Sequence, residues 1–584
     1  MTKRCDRLVV LQTKAQATDY QNNRRLDGDL VLPIGPEAMY EADVNRWAFC
    51  NLGDLWTREQ DDAEREASRN ALEALIDMLN AYSRRLNPDR GLEIGNYYAF
   101  QLWVIIGQIR HNNFIAASIA KNLRPAKVLC YTKANPVTFM GLRPDPDCIF
   151  ADALSESRLF QEGRCEILRI PEKVRVNTSR EKILSLLPVS LRALMRSLRD
   201  RNLYRNSNSP THSVLVIGGA GDWNRLNRDP AFSSVFRQHR PPELKADGKA
   251  TPSQELFEIL NTAIQRETRG TEGPGGNVSD LAAAIQTDVE LFSQRCSEVS
   301  KQMSNYDAVL TAVLTFPIDN FLAHMAARAG RPVVVWQHGE KGQAGFDPLN
   351  VYTELYYATD YFAYAPAVAE QYRPWIGKNR LTNVIAVGSI EKRVEWQGGN
   401  TIVYATGKWF KTTLPIDTDR RLYNAHTSIL SYLNTLGDRY SIIMKANNTP
   451  GLNDIPYRYD NVRVEFAKPF TECLKKAKVV ILDTPATTLV EACSTRVPIF
   501  VLGGRSKYTP EFLDVIKRRV VWSETVEDLL RRLAAFLEYG TYEADVNDQT
   551  YLCQYGANKE AADVAESVRT CLLNSIARAN NNKF

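Results

Sequence analysis

Short apolar runs alternate with amphipathic helical segments through the second half of this chain. The helical segments lie at 317–329, 421–436, 486–494 and 524–538, and they carry apolar residues at spacings of three and four. Such an alternation is typical of βαβ units, in which helices join parallel strands that are buried on both faces. It therefore predicts a doubly wound α/β fold. The apolar runs lie at 307–312, 332–336, 384–387, 401–404, 441–444, 478–482 and 498–502.

The first half of the chain has a less regular pattern. A long charged helix is predicted at 59–86, and a more apolar helix at 96–122 leads into a strand at 127–131. A further strand at 213–217 ends in a glycine-rich turn. The stretch at 238–280 is rich in Pro, Gly, Lys and Glu, and we interpret it as a surface insertion or mobile loop.

The length of 584 residues requires more than one domain, because single hydrophobic cores stop growing at about 250–300 residues. The strand that ends at Trp336 is expected to close one series of βα units, and the strand that ends at Val387 to open another. The last helix is expected to cross back onto the first domain. The predicted division is 1–345 for an α/β domain with helical additions, 346–384 for a connection, 385–555 for a Rossmann-like domain and 556–584 for the last helix.

The composition excludes several classes of protein. Lys and Arg total 73 against 68 for Asp and Glu, so the net charge of +5 gives no sign of nucleic-acid binding. The 10 cysteines form no C-x-x-C pair, which indicates reduced thiols in a cytosolic compartment and no structural zinc. No segment approaches the roughly 20 apolar residues that span a bilayer. We therefore expect a cytoplasmic protein that meets any lipid-linked partner at the membrane surface.

The segment 478–492 combines a buried strand with polar groups at its carboxyl end. In a parallel sheet ligands bind at this end, and the amino terminus of the following helix favours phosphate. Threonine hydroxyls add donors, and a glutamate one turn into the helix can accept hydrogen bonds from ribose hydroxyls. The alternative is that an Asp or Thr merely caps the helix. The candidate ligand residues are Asp483, Thr484, Thr487, Thr488 and Glu491.

A second strand end carries His338, with Gly339 and Gly342 close behind it. A histidine can act as a base near neutral pH or donate to a phosphate, and neighbouring glycines let a ligand approach the backbone. Glu340 beside it is a second candidate catalytic group. A purely structural histidine is the alternative interpretation.

Two weaker signals lie in the first half. The turn of Gly218, Gly219 and Gly221 with Asp222 follows a strand and could hold a phosphate or a sugar through its N–H groups, although an ordinary tight turn explains it equally well. The pair at 145–147 imitates a D-x-D metal motif, but its prolines indicate a loop. We therefore expect no metal site.

Three of these segments resemble one enzyme family. Gln337-His338-Gly339, then Val387-Gly388-Ser389 and the run 481–502, are similar to GT-B glycosyltransferases that build bacterial surface polysaccharides, in particular capsule and lipopolysaccharide transferases. The resemblance covers about 300–540. It implies two Rossmann-like domains that face each other across a cleft, with extra N-terminal helices.

The resemblance also implies a metal-independent enzyme without a cofactor, which binds the glycan or lipid-linked glycan acceptor on the first domain and the nucleotide-sugar donor on the second. His338 would be a base or phosphate partner. Related transferases often carry Lys-Pro-His-Pro after a mid-domain strand, but this chain has Lys445 without that histidine, which leaves Lys445 as a phosphate contact and the donor class open. The residues implied to line the nucleotide are Gly388, Ser389, Asp483, Thr484, Thr487, Thr488 and Glu491.

Several alternatives stay open at this point. A polyol-phosphate transferase and a sugar-nucleotide epimerase can share the same fold, and a non-catalytic scaffold of a polysaccharide assembly complex is the alternative from another class. The segment 191–201 places leucines at helical spacing with arginines between them. This pattern suits either a peripheral contact with the inner membrane surface or a solvated helix whose leucines pack on the core.

Overall fold

The computed structural model describes most of the chain, and the described residues form three parallel β-sheets. Each sheet is built from strands that are joined by crossovers rather than hairpins, as an all-parallel sheet requires. The described residues are 5–50, 57–133, 162–170, 210–219, 222–241, 244, 250–267, 275–339, 350–390, 394–407, 419–446, 459–503, 508–556 and 561–581.

The first sheet, which we call the N-terminal sheet, has the order β2-β1-β3-β4. The sequence predicted only β3 of these strands. The side chains from Leu8 to Leu11 are fully buried, so the short apolar run near the amino terminus is a central strand with neighbours on both sides. Its strands are β1 (Arg7–Leu11), β2 (Leu30–Pro33), β3 (Lys127–Lys133) and β4 (Cys165–Ile170).

The second sheet, the middle sheet, has the order β10-β9-β8-β7-β5-β6. The third, the C-terminal sheet, has the order β13-β12-β11-β14-β15-β16. The strands of the middle sheet are β5 (His212–Val216), β6 (Phe236–His239), β7 (Ala308–Thr311), β8 (Val333–Trp336), β9 (Asp360–Ala363) and β10 (Asn383–Ala386). Those of the C-terminal sheet are β11 (Thr401–Ala405), β12 (Ser441–Lys445), β13 (Val462–Glu465), β14 (Ala477–Leu482), β15 (Ile499–Leu502) and β16 (Val521–Ser523).

Helices occupy both faces of these sheets. In chain order they are α1 (Lys14–Asp19), α2 (Pro36–Val44), α3 (Arg58–Leu86), α4 (Ile94–Tyr97), α5 (Ala99–Ser118), α6 (Trp223–Leu226), α7 (Pro230–Ser233), α8 (Gln254–Glu267), α9 (Gly275–Met303), α10 (Pro317–Arg328), α11 (Pro366–Tyr372), α12 (Asp419–Asn434), α13 (Phe470–Leu474), α14 (Thr487–Cys493), α15 (Pro510–Arg519), α16 (Val526–Tyr539), α17 (Thr550–Gln554) and α18 (Ala561–Asn581). Single π or 3-10 turns lie at Tyr20–Arg24, Pro88–Arg90, Ile119–Leu123, Val351–Leu355 and Arg373–Trp375.

The middle sheet is buried on both faces because side chains alternate along a strand. In β5, Leu215 packs into a cluster formed with α3, α5 and α9, whereas Val214 and Val216 pack on the opposite face with α18. The C-terminal sheet follows the same rule, since Val403 and Ile402 belong to clusters on opposite faces. The predicted α/β fold with two Rossmann-like domains is confirmed for these two sheets.

The division between those domains differs from the predicted one. The strand β10, expected to open the last domain, pairs with β9 and completes the middle sheet. The predicted connection at 346–384 contains β9, which pairs with β8. Hydrophobicity identifies a strand but not the sheet that it joins, because any parallel sheet buries such a strand equally well. The crossover to the C-terminal sheet therefore follows β10 and precedes β11.

The segment interpreted as an insertion or mobile loop at 238–280 contains ordered structure. Helix α8 lies within it, and α9 begins at its end. Leu256 and Leu260 are fully buried and pack in the core beneath the middle sheet. The spacing of four between them places both on one helical face, and this periodicity was masked by the polar composition around it.

The last helix, α18, packs against the middle sheet, the place to which the final helix was expected to return. Val564, Val568 and Leu572 are buried against that sheet. The guanidinium group of Arg578 near its end is hydrogen-bonded to Asp360 at the start of β9. The C-terminal helix therefore links the end of the chain to the domain built on the middle sheet, which we call the middle domain, rather than to the C-terminal domain, which is built on the C-terminal sheet and precedes the helix in the chain.

None of the described helices has the length and apolar character needed to cross a bilayer. The segment 191–201, for which a peripheral membrane contact was one interpretation, lies outside the described residues.

Candidate functional site

The carboxyl edges of the middle and C-terminal sheets approach each other, and two turns meet there. His338 and Gly339 follow β8, and Thr487 begins α14 after β14. A Cβ atom built on Gly339, whose φ is +74°, would lie 3.8 Å from the Thr487 hydroxyl oxygen. The His338 side chain is exposed at this point. The two predicted ligand segments therefore meet between the two domains, at the sheet edge where doubly wound folds bind ligands. We call this interdomain junction the cleft.

A buried carboxylate, Asp222, interacts with His338 on the middle-domain side. The Arg225 guanidinium lies 3.0 Å from one carboxylate oxygen, and the Tyr364 hydroxyl lies 3.5 Å from the other. Burial raises the pKa of Asp222, whereas the charges of Arg225 and His338 and a hydrogen bond from the Ile390 N–H act in the opposite direction. Asp222 thus interacts with residues that follow three strands: His338 after β8, Tyr364 after β9 and Ile390 after β10.

Arg225 also connects the two domains electrostatically. Burial raises the pKa of Glu491 on α14, and the charge of Arg225 on α6 opposes that rise. No hydrogen bond to the Glu491 carboxylate is present among the residues that the structure describes. A half-buried carboxylate that faces a cation across the cleft is available to a ligand, because nothing in the described structure satisfies its acceptor atoms.

The glycine turn after β5 lies against the loop that follows β7. A Cβ atom on Gly218, whose φ is +59°, would meet the carbonyl oxygen of Val313 at 2.5 Å. The Gly219 N–H donates to that carbonyl at 3.1 Å, and the Gly218 N–H donates to the Asp319 carboxylate. Both N–H groups are bonded to protein acceptors, which favours the tight-turn interpretation over a phosphate site. Gly221 lies outside the described residues.

Burial raises the pKa of Asp319 to about 6 in spite of its bond with Gly218. Asp319 lies in the first turn of α10, at the same edge of the middle sheet. Its carboxyl group therefore changes charge at about pH 6.

Gly388 and Ser389 lie in the middle domain, although they were predicted to line the nucleotide in the last one. They follow β10, and both are buried. The Gly388 carbonyl accepts a hydrogen bond of 3.1 Å from the indole of Trp336. Since β10 pairs in the middle sheet, these residues cannot share a strand end with Asp483, and the prediction that placed them in the nucleotide-binding domain is corrected.

Asp483 is fully buried beneath the cleft rather than exposed in it. One carboxylate oxygen accepts hydrogen bonds from the Tyr404 hydroxyl at 2.9 Å and from Nε2 of His426 at 2.7 Å. The other accepts from the N–H of Gly407. These contacts tie together β11, α12 and β14 at their shared edge, so Asp483 holds the strand end that carries the threonines.

The start of α14 does not use a side-chain cap. Its N-cap residue is Ala486, and no side chain there accepts from the helix. The N-cap position is therefore held by neither Asp483 nor Thr484, the two residues for which capping was the alternative interpretation. Thr484, Thr487 and Thr488 are all partly buried, with Thr487 and Thr488 in the first turn.

Lys445 lies at the carboxyl end of β12, two strands away from β14. Its ammonium group donates to the carbonyl oxygens of Ala446, Glu465 and Phe466 at 3.0, 3.4 and 3.0 Å. Burial lowers its pKa. All three donors of the ammonium group are directed at backbone oxygens, so a phosphate would have to replace some of these bonds.

The remaining predicted residues lie outside the described part of the chain. Glu340 and the pair at 145–147 fall in this group. Within the described ranges, no cluster of three or more His, Cys, Asp or Glu residues could hold a metal ion. The expectation of a metal-independent protein stays a prediction.

Sequence reasoning missed Arg225, Tyr364, Tyr404 and His426. One signal was available, because His426 lies between Leu422 and Leu430 on the face of α12 that is buried against β11 and β12. A histidine on an apolar helical face needs a buried polar partner. The other three have ordinary surface or strand contexts in the sequence, and only folding places them near the cleft.

No family model matches the sequence, and a comparison with curated proteins gives no match. Among solved structures, Arabidopsis thaliana UGT89C1 complexed with UDP is 12% identical with a TM-score of 0.36, over 62% of this chain and 99% of that one. Medicago truncatula UGT71G1 complexed with UDP-glucose is 9% identical with a TM-score of 0.32, over 77% and 98%. The calicheamicin glycosyltransferase CalG4 is 14% identical with a TM-score of 0.30, over 64% and 98%. Similarities at this level assign no function.

Proposed function

We propose that this protein is a glycosyltransferase that moves a sugar from a nucleotide-sugar donor onto a surface polysaccharide or glycolipid acceptor. The observation that most supports this is the approach of Gly339 to Thr487. A Cβ atom at Gly339 would lie 3.8 Å from the hydroxyl oxygen of Thr487. A transfer reaction needs two substrates held against each other with water excluded. Two strand-end sites that share one cleft between two domains meet that need, and they agree with the GT-B resemblance of the sequence.

In the proposed mechanism, the exposed imidazole of His338 takes the proton from the acceptor hydroxyl. The attraction between Asp222 and His338 would stabilise the imidazolium that forms, in the way that a buried carboxylate supports a catalytic histidine. The oxygen freed of its proton then attacks the anomeric carbon of the donor, and the bond from that carbon to the nucleotide phosphate breaks.

The leaving phosphate carries the charge that develops in this step. The hydroxyls of Thr487 and Thr488 in the first turn of α14 are placed to donate to it, and the partly exposed Arg225 can offset its charge from the opposite domain. The Glu491 carboxylate would accept from the ribose hydroxyls of the nucleotide. These roles need no metal ion. We place the enzyme in the cytoplasm, where a lipid-linked acceptor is met at the inner membrane surface.

The first experiment is a thermal-shift screen of the full chain against CMP, CDP, UDP, GDP and dTDP. A ligand that binds only the native state raises the apparent stability by an amount set by its concentration relative to its dissociation constant. Selective stabilisation by one nucleotide, reduced in Glu491→Gln and in Thr487→Val, is the expected result. Thr570→Val on the exposed face of α18 is the matched control, and it should leave the shift unchanged.

The second experiment measures transfer with the nucleotide-sugar identified in this way. His338→Ala should lower kcat by about 10²- to 10⁴-fold, the usual contribution of a general base, while it leaves nucleotide binding intact. Phosphorus in the polymer product would identify a polyol-phosphate transferase, and donor turnover without an acceptor would identify an epimerase. The absence of any nucleotide shift with a folded protein would contradict the enzyme and favour the scaffold.

A further inference from the structure

A cavity of about 610 Å³ lies at the amino ends of the strands in the C-terminal domain. The first residues of β11, β12 and β13, which are Thr401, Ser441 and Val462, line it, together with residues around α13. The cleft with His338 lies at the opposite, carboxyl edge of that sheet. A strand of five residues separates the two by roughly 15 Å, so this cavity is distinct from the interdomain site.

The cavity has an excess of positive charge. Four cations line it, Arg463, Lys468, Lys475 and Lys476, against the two acids Asp460 and Glu472, which leaves an excess of two. Lys475 pairs with Glu472 at 2.8 Å. In the part of the chain that the structure describes, no ion pair involves Arg463, Lys468 or Lys476. The Glu465 carboxylate, outside the lining, also interacts with Arg463 and Lys468. The lining itself keeps its excess of two positive charges, and the resulting local field favours an anion, even though the whole chain has a net charge of only +5.

The rest of the lining offers hydrogen bonds rather than an apolar surface. Gln397, Ser441 and Asn461 contribute amide and hydroxyl groups. Hydrogen bonds to backbone carbonyls hold two of these residues in place. The Gln397 N–H donates to the carbonyl oxygen of Lys475 at 2.9 Å. The side-chain amide of Asn461 donates to the backbone carbonyl oxygen of Asn434 at 2.9 Å. A rigid frame of neutral donors and acceptors beside cations suits a ligand with both hydroxyl groups and a negative charge.

The aromatic ring at this site is already in contact with cations. Arg439 and Lys478 lie 5.7 and 5.9 Å from the centroid of the Tyr440 ring. Base stacking on an aromatic side chain, which nucleic-acid sites use, would have to displace them. A saccharide needs only the polar groups of the lining, so it fits this cavity better than a nucleic acid does.

We infer that this cavity is a second binding site, specific for an anionic saccharide that carries a carboxylate or phosphate group. The anion binds Arg463, Lys468 and Lys476, and the sugar hydroxyls bond to Gln397, Ser441 and Asn461. Gln397 belongs to the crossover that connects the middle and C-terminal sheets, so the ligand contacts the connection between the domains. The inference depends on the lining alone and holds whether or not the cleft transfers a sugar.

The test is isothermal titration calorimetry of the full chain at low ionic strength with trigalacturonic acid, glucose 1-phosphate, maltotriose and inorganic phosphate. Both anionic saccharides should bind, while neutral maltotriose should not. Tighter binding of the trisaccharide would indicate a polymer ligand, and tighter binding of glucose 1-phosphate a sugar phosphate. Binding should weaken at least tenfold in the double variant Lys468→Glu and Lys476→Glu. Asp460→Asn, which removes a repelling carboxylate, should strengthen it.

Two controls separate this cavity from the cleft. Lys301→Glu changes an exposed lysine at the end of α9 and should leave binding unchanged, as should Glu491→Gln in the cleft. Loss of binding in Glu491→Gln but not in the double variant would overturn the inference, because the saccharide would then occupy the cleft. Equal binding of inorganic phosphate and glucose 1-phosphate would overturn the saccharide specificity. Tighter binding of a single-stranded oligonucleotide would assign the cavity to nucleic acid instead.

Discussion

The Nε2 atom of His426 lies 2.7 Å from Oδ2 of Asp483, and both side chains are fully buried. Neither residue can exchange this contact for water. Removing one partner of a buried polar pair leaves the other without compensation, which costs more than the pair itself contributes. The contact therefore supports the strand ends that carry the candidate nucleotide site, and a substitution of Asp483 would report on the fold rather than on ligand binding.

We expect His426→Ala to lower the free energy of unfolding by about 3 kcal/mol, since it leaves the Asp483 carboxylate buried with a donor missing. Tyr404→Phe should cost about 1–2 kcal/mol, because it removes one hydroxyl donor with little loss of volume. Urea unfolding followed by tyrosine and tryptophan fluorescence measures both. Tyr539→Phe, at a ring that is 72% exposed, should change nothing, and an equal effect at both tyrosines would contradict the buried network.

Arg225 faces carboxylates in both domains, so its loss should change their ionisation. Arg225→Ala removes a positive charge that opposes the raised pKa of Asp222 and of Glu491. Both pKa values should rise further, and the acid limb of the pH–rate profile for transfer should move to higher pH. Arg228→Ala, three residues away and exposed, is the control. A profile that moves equally in both variants, or in neither, would refute the role of Arg225.

Asp319 should make stability depend on pH in a specific direction. Its pKa rises from 3.8 to about 6 on burial, so the folded state holds the proton more tightly than the unfolded state does. The contribution of Asp319 to the stability of the folded state is fully present below about pH 4 and is lost as the pH rises through 6. Relative to the unsubstituted protein, the free energy of unfolding of Asp319→Asn should therefore rise by up to about 3 kcal/mol between pH 4 and pH 7. Denaturant unfolding at both pH values measures the difference, and a gap that does not change with pH would contradict the prediction.

Gly218 should be more sensitive to substitution than other glycines with a positive φ. Gly218→Ala combines backbone strain with a contact of 2.5 Å to the Val313 carbonyl, and we expect a loss of about 2–4 kcal/mol. Gly28→Ala has a φ of +88° but nothing within 4 Å of its Cβ position, so it should show only the backbone cost of about 1–2 kcal/mol. Thermal unfolding of the two variants compares them. Equal losses would show that the turn can move away from Val313.

The sequence by itself determined the local elements of the second half. The predicted runs at 307–312, 332–336, 401–404 and 478–482 all coincide with strands within one or two residues. The prediction succeeds because a parallel strand that is buried on both faces needs a continuous apolar run. Such a run can be recognised from neighbouring residues alone. The same rule also locates His338 and Thr487 at strand ends, where ligands of such folds bind.

Only the tertiary structure decided how these elements combine. It placed β10, which Gly388 and Ser389 follow, in the middle sheet. The sequence could not decide this, because the apolar pattern of a strand suits either sheet equally well. It also brought Tyr404 and His426 to Asp483 from 79 and 57 residues away along the chain, and so buried a carboxylate that the sequence suggested would face a ligand. Local pattern records burial and periodicity, whereas the partner of a polar side chain depends on contacts between distant segments.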